Sequence, residues 1–138
     1  MVDASPSGKL QCIVVTPEST VLDQQADFVA LPLYDGEIGI APGHSPMIGR
    51  LGYGELRVVS GGQTQRYYVD GGFVQVAGNV VSVLTNRAVA AESLDPQVAA
   101  ERLRAARQKK ATSEEELALR EKLEQQARAE LRVAERAK

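Results

Sequence analysis

The stretch Gly36–Pro46, GEIGIAPGHSP, decides how this 138-residue chain folds. In its first half, polar or small residues alternate with apolar ones from Glu37 to Ile40, which is the pattern of a strand with one buried face. Its second half contains two prolines, which fix φ and lack an amide donor, and a glycine, which tolerates positive φ. The strand is therefore predicted to end in a tightly shaped loop.

His44, the only histidine of the chain, lies inside that loop. As a catalytic base it would need a nucleophile or an orienting acid, and the neighbouring sequence shows no recognisable partner. The alternative, which we predict, is that the imidazole hydrogen-bonds the backbone of its own loop. The chain also lacks a Walker-type loop and paired histidine ligands, so we expect neither an enzyme nor a metal site.

Composition narrows the class of protein further. The net charge is −2, so no overall positive field favours nucleic acid as a partner. The single cysteine, Cys12, lies in an apolar run and is expected to be a buried, inert thiol in a reducing compartment. No apolar run approaches the roughly 20 residues that span a bilayer, so we expect a soluble protein that reaches a membrane only through a partner. Residues 1–9 lack the apolar core of a signal peptide and are predicted to be a flexible extension.

Residues 10–90 contain short apolar or alternating runs separated by turn residues. The predicted strands are Leu10–Val15, Val21–Leu22, Ala26–Leu33, Glu37–Ile40, Met47–Ile48, Glu55–Ser60, Thr64–Val69, Phe73–Val76 and Val80–Leu84. Gly61–Gly62 and Gly78–Asn79 are typical of the tight turns of two β-hairpins. Many short strands at regular spacing predict an antiparallel β-sandwich for residues 10–90.

The chain changes character at about residue 91, because glycine disappears and Ala, Glu, Arg and Leu dominate. Asp95 is predicted to cap a first helix with Pro96 at its first position, and this helix should run to about Lys110. Ser113 and Glu116 predict a capping box for a second helix. The fold class is therefore β + α, an N-terminal β-sandwich followed by a helical hairpin in residues 91–138.

The apolar stripes of this helical hairpin are thin. They consist of Ala99, Leu103 and Ala106 on the first helix and of Leu119, Leu123, Ala127, Leu131 and Ala134 on the second. Alanine buries little area, so the helices should pack weakly and be able to exchange partners. Residues 96–110 carry five basic side chains and one acid. This positive charge suits binding to an acidic partner surface. The alternative is that these side chains form a solvated helix face with no partner.

The stretch Gly36–Pro46, a second motif Asp70–Val76 (DGGFVQV), and the order of strands before helices together resemble the epsilon subunit of F-type ATP synthases. The resemblance extends from Leu10 to the C-terminus. It implies a non-catalytic subunit without a cofactor, whose β-sandwich contacts the gamma subunit and the polar loops of the c-ring. It also implies a peripheral location on the cytoplasmic face of an energy-transducing membrane.

The same resemblance assigns roles to particular residues. Gly36, Glu37 and His44 would contact the c-ring and gamma. The helices would either fold onto the sandwich or extend along gamma toward the alpha and beta subunits, and in the extended form inhibit ATP hydrolysis. The basic side chains expected to meet an acidic segment of beta are Arg102, Arg104, Arg107, Arg128 and Arg132.

Some bacterial members of this family bind ATP through a Leu/Ile-Asp-x-x-Arg-Ala motif, which would make the chain a nucleotide-sensing module. Here Leu94 and Asp95 are kept, but Val98 stands where the motif has arginine. Valine cannot hold phosphate oxygens as a guanidinium does. We therefore predict weak or absent ATP binding and interpret Asp95 as a helix cap.

Overall fold

The computed structural model describes residues 8–137, so the predicted extension at residues 1–9 lies almost wholly outside the described residues. Strands precede helices, as the sequence predicts. The strands are β1 (Leu10–Val15), β2 (Thr20–Ala26), β3 (Phe28–Leu33), β4 (Gly36–Ile40), β5 (Met47–Ser60), β6 (Gln63–Ala77), β7 (Val80–Leu84) and β8 (Ala88–Ala90). A short 3-10 turn, Ala91–Ser93, leads to helices α1 (Pro96–Gln108) and α2 (Glu114–Arg136).

The strands are ordered β2-β1-β7-β6-β5-β3-β4, and β8 pairs with β6. The predicted β-sandwich is confirmed, and both predicted β-hairpin turns join antiparallel strands. One pair departs from the antiparallel prediction, because β1 and β7 run parallel. The two layers enclose an apolar core that includes Cys12, Leu31, Leu56, Val74 and Val83. Cys12 is fully buried, and burial raises the pKa of its thiol to about 12, as expected for an inert cysteine.

The prediction of four short strands between residues 47 and 76 is wrong, because β5 and β6 are continuous strands of 14 and 15 residues. Their glycines lie inside the ladder, where Leu51 pairs with Gly72. Glycine without a Cβ lets a strand bend sharply. One half of this long β-hairpin therefore pairs with β7, while the other half pairs with β3 and β8.

The Asp70–Val76 motif supplies that bend in β6. Gly72 has φ of +105°, and a Cβ at this position would overlap the carbonyl oxygen of Leu84. Only glycine can combine this backbone conformation with so close an approach. The side-chain hydroxyl of Thr85 accepts a hydrogen bond from the Asp70 backbone amide at 3.0 Å, which fixes the same corner.

The helix caps agree with the sequence in one case and differ in detail in the other. The Asp95 carboxylate accepts a hydrogen bond from the Gln97 amide at 2.9 Å, and α1 ends two residues before the predicted Lys110. Ser113 caps α2 through the Glu116 amide at 3.1 Å. The Glu116 carboxylate does not return to the Ser113 amide, because Thr112 offers it both an amide and a hydroxyl, at 3.0 and 2.8 Å.

The helical hairpin lies against the sandwich, and α2 contacts β5 and β6. The predicted stripe of α1, Ala99, Leu103 and Ala106, is buried. The predicted stripe of α2 is wrong in its first half, where Leu119 is 47% exposed. The second half packs between α1 and the sheet, and its buried residues are Ala127, Ala129, Glu130, Val133 and Ala134.

Candidate functional site: a docked helical hairpin and its contact surfaces

The junction between hairpin and sandwich is built mainly from small side chains. Its buried apolar cluster consists of Tyr68, Ala91, Leu94, Ala129, Val133 and Ala134. Tyr68 is the largest of these, and burial raises the pKa of its phenol above the ordinary value. Three alanines contribute little apolar area, so this cluster alone docks the hairpin weakly.

Glu130 of α2 is the charged centre of the junction. Its side chain is only 5% exposed, and its two oxygens accept hydrogen bonds from Arg87 at 2.7 Å and from Arg102 at 2.8 Å. Arg87 belongs to the sandwich and Arg102 to α1. One buried carboxylate therefore ties both helices to the sandwich, and charge-assisted bonds of this length are strong.

A second polar link joins α2 to the Asp70–Val76 motif. The side-chain amide of Gln126 donates to the Asp70 carboxylate at 2.9 Å. Beside it, a cavity of about 470 Å³ lies between the helices and the sheet, and Arg102, Lys109 and Glu130 are among its lining residues. Packing beneath the hairpin is therefore incomplete, which lowers the dispersion energy that holds it down.

A third polar link, which we call the Glu55 network, lies at the far end of α2. It consists of Glu37, Glu55, Arg57, Arg66 and Arg136. The Glu55 side chain is 5% exposed, and one of its oxygens, Oε1, accepts from all three arginines at 3.2 to 3.4 Å. Its other oxygen, Oε2, is buried and has no partner among the described residues.

Arg57 holds Glu55 and Glu37 at the same time. Its two terminal nitrogens donate to the Glu37 carboxylate at 3.0 and 3.2 Å. This bond to Glu37 is the main cause that raises the pKa of the Arg57 guanidinium. The Glu37 side chain is 52% exposed, so the network extends from the buried carboxylate of Glu55 to the surface of the sandwich.

The loop after β4 is fixed by its own backbone and by a neighbouring turn. The Gly43 amide donates to the Asn79 side chain at 2.7 Å, and Gly43 has φ of +86°. The His44 ring donates to the Ser45 carbonyl at 2.7 Å, which is the predicted hydrogen bond to the backbone of its own loop. Asn79 was not predicted to support this loop, although the Gly78–Asn79 turn was recognised.

The three predicted loop residues do not form one contact point. Gly36 and Glu37 begin β4, whereas His44 follows its other end. At about 3.4 Å per residue, a five-residue strand separates the two groups by roughly 15 Å. Only Glu37 belongs to the Glu55 network, so its surroundings differ from those of His44.

An exposed apolar patch lies on one outer face of the sandwich. Ile48, Phe73 and Leu84 are 76%, 59% and 56% exposed. Phe73 is paired with Leu84 across β6 and β7 and with Arg50 across β6 and β5. Contiguous exposed apolar side chains on a sheet are typical of a protein–protein contact.

The five arginines predicted to meet an acidic partner have different surroundings in the docked hairpin. Arg102 is bound to Glu130, and Arg128 lies 3.6 Å from Glu124 on its own helix. Arg104, Arg107 and Arg132 are exposed, and none of them forms an ion pair within the described part of the chain. In the docked hairpin, Arg102 is therefore engaged by the buried carboxylate of Glu130, although its own side chain is 56% exposed.

Asp95 of the partial nucleotide motif has a structural role here. Asp95 uses a carboxylate oxygen to cap α1, and Val98 is 45% exposed. Within residues 8–137, no helix has the length and hydropathy of a membrane span. The same residues bring together no group of three His, Cys, Asp or Glu side chains suited to a metal ion.

A β-sandwich with a lightly docked helical hairpin and exposed contact surfaces defines a partner-binding subunit. The family described as "ATP synthase, Delta/Epsilon chain, beta-sandwich domain" matches residues 9–91. The ATP synthase epsilon chain of Rhodopirellula baltica is 46% identical over 125 residues, covering 91% of this chain and 98% of the relative. That of Carboxydothermus hydrogenoformans is 43% identical over 101 residues, covering 73% and 75%. The chain belongs to the ATP synthase epsilon-chain family.

Solved structures agree with this family. A chain in the mitochondrial ATP synthase of Euglena gracilis, solved with its c-ring, has a TM-score of 0.76 and 25% identity, covering 98% of this chain and 82% of that one. A chain in the central stalk and c-ring of the Tetrahymena thermophila enzyme has a TM-score of 0.67. Its identity is 12% over 96% of this chain and 99% of that one, so it supports the fold alone.

Proposed function

We propose that this chain is a non-catalytic stalk subunit of a proton-translocating F-type ATP synthase. Its sandwich couples the gamma subunit to the c-ring, and its helical hairpin restrains ATP hydrolysis when it leaves the sandwich. The observation that carries the proposal is the lightly built junction, in which alanines and a few charged links hold the hairpin. The assembled complex would hold the chain peripherally on the cytoplasmic face of the membrane.

The sandwich offers two surfaces for the coupling role. The apolar patch of Ile48, Phe73 and Leu84 suits a stable contact with gamma, since buried apolar area is the main driving force of association. Gly36 and Glu37 at the start of β4, and His44 beyond its end, are the candidates for the c-ring and gamma contacts.

The hairpin offers charge for the restraining role. When it is docked, Arg102 is engaged by Glu130, and release would free this arginine for an acidic segment of the beta subunit. Release would also let the exposed arginines of both helices approach the same segment. The basic residues proposed for this contact are Arg102, Arg104, Arg107, Arg128 and Arg132.

Removing the hairpin tests this restraint. Deleting residues after Ala91 should raise ATP hydrolysis by the reconstituted enzyme and leave rotor assembly intact, because the sandwich remains. As a control, Phe73→Ser in the full chain should weaken binding to gamma, because it removes apolar area from the patch. Unchanged hydrolysis after the deletion would contradict the restraint while leaving the coupling role in place.

The alternative function is a nucleotide sensor, whose candidate site is the cavity lined by Arg87, Arg102 and Lys109. We predict weak or absent ATP binding, since valine replaces the motif's arginine at position 98. Isothermal titration of the full chain with millimolar ATP is the measurement. Clear heat of binding would support the sensor and contradict our prediction.

A further inference from the structure

The Glu55 network connects the surface of the sandwich to the last turn of α2. Glu37 lies at its exposed end and Arg136 at its helical end, with Arg57 and Glu55 between them. Arg136 is the last residue of α2, whereas the other members belong to β4, β5 and β6. A change at Glu37 can therefore reach the helical hairpin through direct ionic contacts.

The bonding at Glu55 is unevenly distributed. Three guanidinium groups share its Oε1, while its buried Oε2 has no partner among the described residues. A buried carboxylate oxygen without a hydrogen-bond donor destabilises the folded state, so a donor that reaches this oxygen stabilises it. Arg57 is already in contact with Glu55, and its bidentate bond to Glu37 holds it in its present position.

We propose that a cationic partner group bound at Glu37 releases the end of α2 through the Glu55 network. The partner's cation neutralises Glu37 and frees Arg57 to bind both oxygens of Glu55. Arg136 then loses its share of that carboxylate, and its 58% exposed side chain passes readily into water. This inference rests on the proposed function for the role of hairpin release.

The chemistry of the partner follows from the exposed end of the network. Glu37 presents a half-exposed carboxylate, so a lysine or arginine of the partner is the group that it recognises. A partner carboxylate would instead compete for Arg57 and leave the Glu55–Arg136 contact in place. The two charges should therefore differ in their effect on α2, because a cation releases its last turn and a carboxylate does not.

Hydrogen exchange of the isolated full chain, followed by mass spectrometry, tests the relay. Glu37→Gln should accelerate exchange in the last two turns of α2 by about three- to fivefold, the range expected for losing one partly exposed ion pair. Glu37→Lys, which places a cation beside Arg57, should accelerate it more. Asp35→Asn and Asp35→Lys are the matched controls, because they make the same two charge changes in the neighbouring β3–β4 turn. Each should change the exchange rate of these α2 amides by less than about twofold.

A double variant separates the relay from a general loss of stability. Arg136→Gln should loosen α2 by itself, and adding Glu37→Gln should then change exchange by less than about twofold. Amides of β1 and β7 are the internal reference, and their protection should stay at the wild-type level. Equal effects of Glu37→Gln with and without Arg136 would overturn the relay, as would equal effects of the Glu37 and Asp35 variants.

The outcome is independent of the test of the proposed function. If the deletion after Ala91 raises ATP hydrolysis while Glu37→Gln leaves α2 unchanged, the restraint stands and the relay is wrong. If Glu37→Gln loosens α2 while the deletion leaves hydrolysis unchanged, the relay stands and the restraint is wrong. Should Glu37→Lys unfold the sandwich, Glu37→Gln and its Arg136→Gln double variant decide the question.

Discussion

Replacing Glu130 by glutamine should shift the helical hairpin from its docked to its released state. The Glu130 carboxylate binds Arg87 of the sandwich and Arg102 of α1 at once, at 2.7 and 2.8 Å. Glutamine keeps the size and one acceptor oxygen, but it loses the charge and presents an amide donor to one of the arginines. The substitution therefore tests the charge without creating a cavity.

The size of the effect follows from the exposure of the three side chains. Hydrogen bonds to charged groups contribute about 1.5–3 kcal/mol each when both partners are buried. Arg87 and Arg102 are 43% and 56% exposed, so both can be solvated after the change, and we discount each bond to about 1 kcal/mol. With about 0.5 kcal/mol retained by the glutamine oxygen, the net loss is about 1.5 kcal/mol, or roughly tenfold in the docking equilibrium.

Trypsin digestion measures the released population, since cleavage within a helix requires local opening. Glu130→Gln leaves every lysine and arginine in place, so the cleavage sites of wild type and variant are identical. Cleavage after Arg128 and Arg132 should be about tenfold faster in the variant. In the reconstituted enzyme the same variant should inhibit ATP hydrolysis more strongly, because Arg102 is no longer engaged.

Glu135→Gln is the matched control, because Glu135 is an exposed acid of α2 without an ion pair among the described residues. It should be cleaved at close to the wild-type rate. Arg87→Gln breaks one of the two ionic links of Glu130, so its cleavage rate should lie between those of the Glu130→Gln and Glu135→Gln variants. Equal cleavage of the Glu130 and Glu135 variants would refute the reasoning, because the buried charge would then contribute nothing to docking.

Three further predictions concern the sandwich. Gly72→Ala should lower the free energy of unfolding by more than about 3 kcal/mol, measured by urea denaturation, because its Cβ would overlap the Leu84 carbonyl; a near-wild-type midpoint would contradict this. Gly43→Val should cost less, about 1–2 kcal/mol, because φ is +86° but the space around a Cβ is open; unchanged stability and coupling would show that this backbone is ordinary. The Cys12 thiol has its pKa raised by burial from 9.0 to about 12, so the folded state holds its proton more tightly. Stability should therefore be fully retained below pH 9 and fall between pH 9 and 12 by at most about 1.4 kcal/mol per pH unit, and Cys12→Ala should reduce that slope in urea titrations.

Local signals in the sequence were sufficient for much of the fold. The Gly61–Gly62 and Gly78–Asn79 turns, the Asp95 cap and the buried face of α1 all depend on residues close together in the chain, and each was predicted. The continuity of β5 and β6 was missed, because glycine within a strand resembles a break unless its partner strand is known. The close approach of Leu84 to Gly72 is such a partner contact.

The charged links of the junction could not be predicted, because their members are far apart in the sequence. Arg87 and Glu130 are separated by 43 positions, and Glu55 and Arg136 by 81. Glu55 alternates with Leu56, so the strand pattern places it on the face opposite the core and gives no sign that its carboxylate is buried. The buried face of α2 was misassigned for the same reason, since the helix packs against both α1 and the distant strands β5 and β6.

The parallel pairing of β1 with β7 has a consequence for biosynthesis. β1 is synthesised before its second neighbour, Val80–Leu84, and five other strands are made between them. Until then one edge of β1 presents unpaired amides and carbonyls, which can recruit a strand of another chain. Such a long-range contact also slows folding. The nascent chain therefore passes through a period of aggregation risk that ends when β7 closes the sheet.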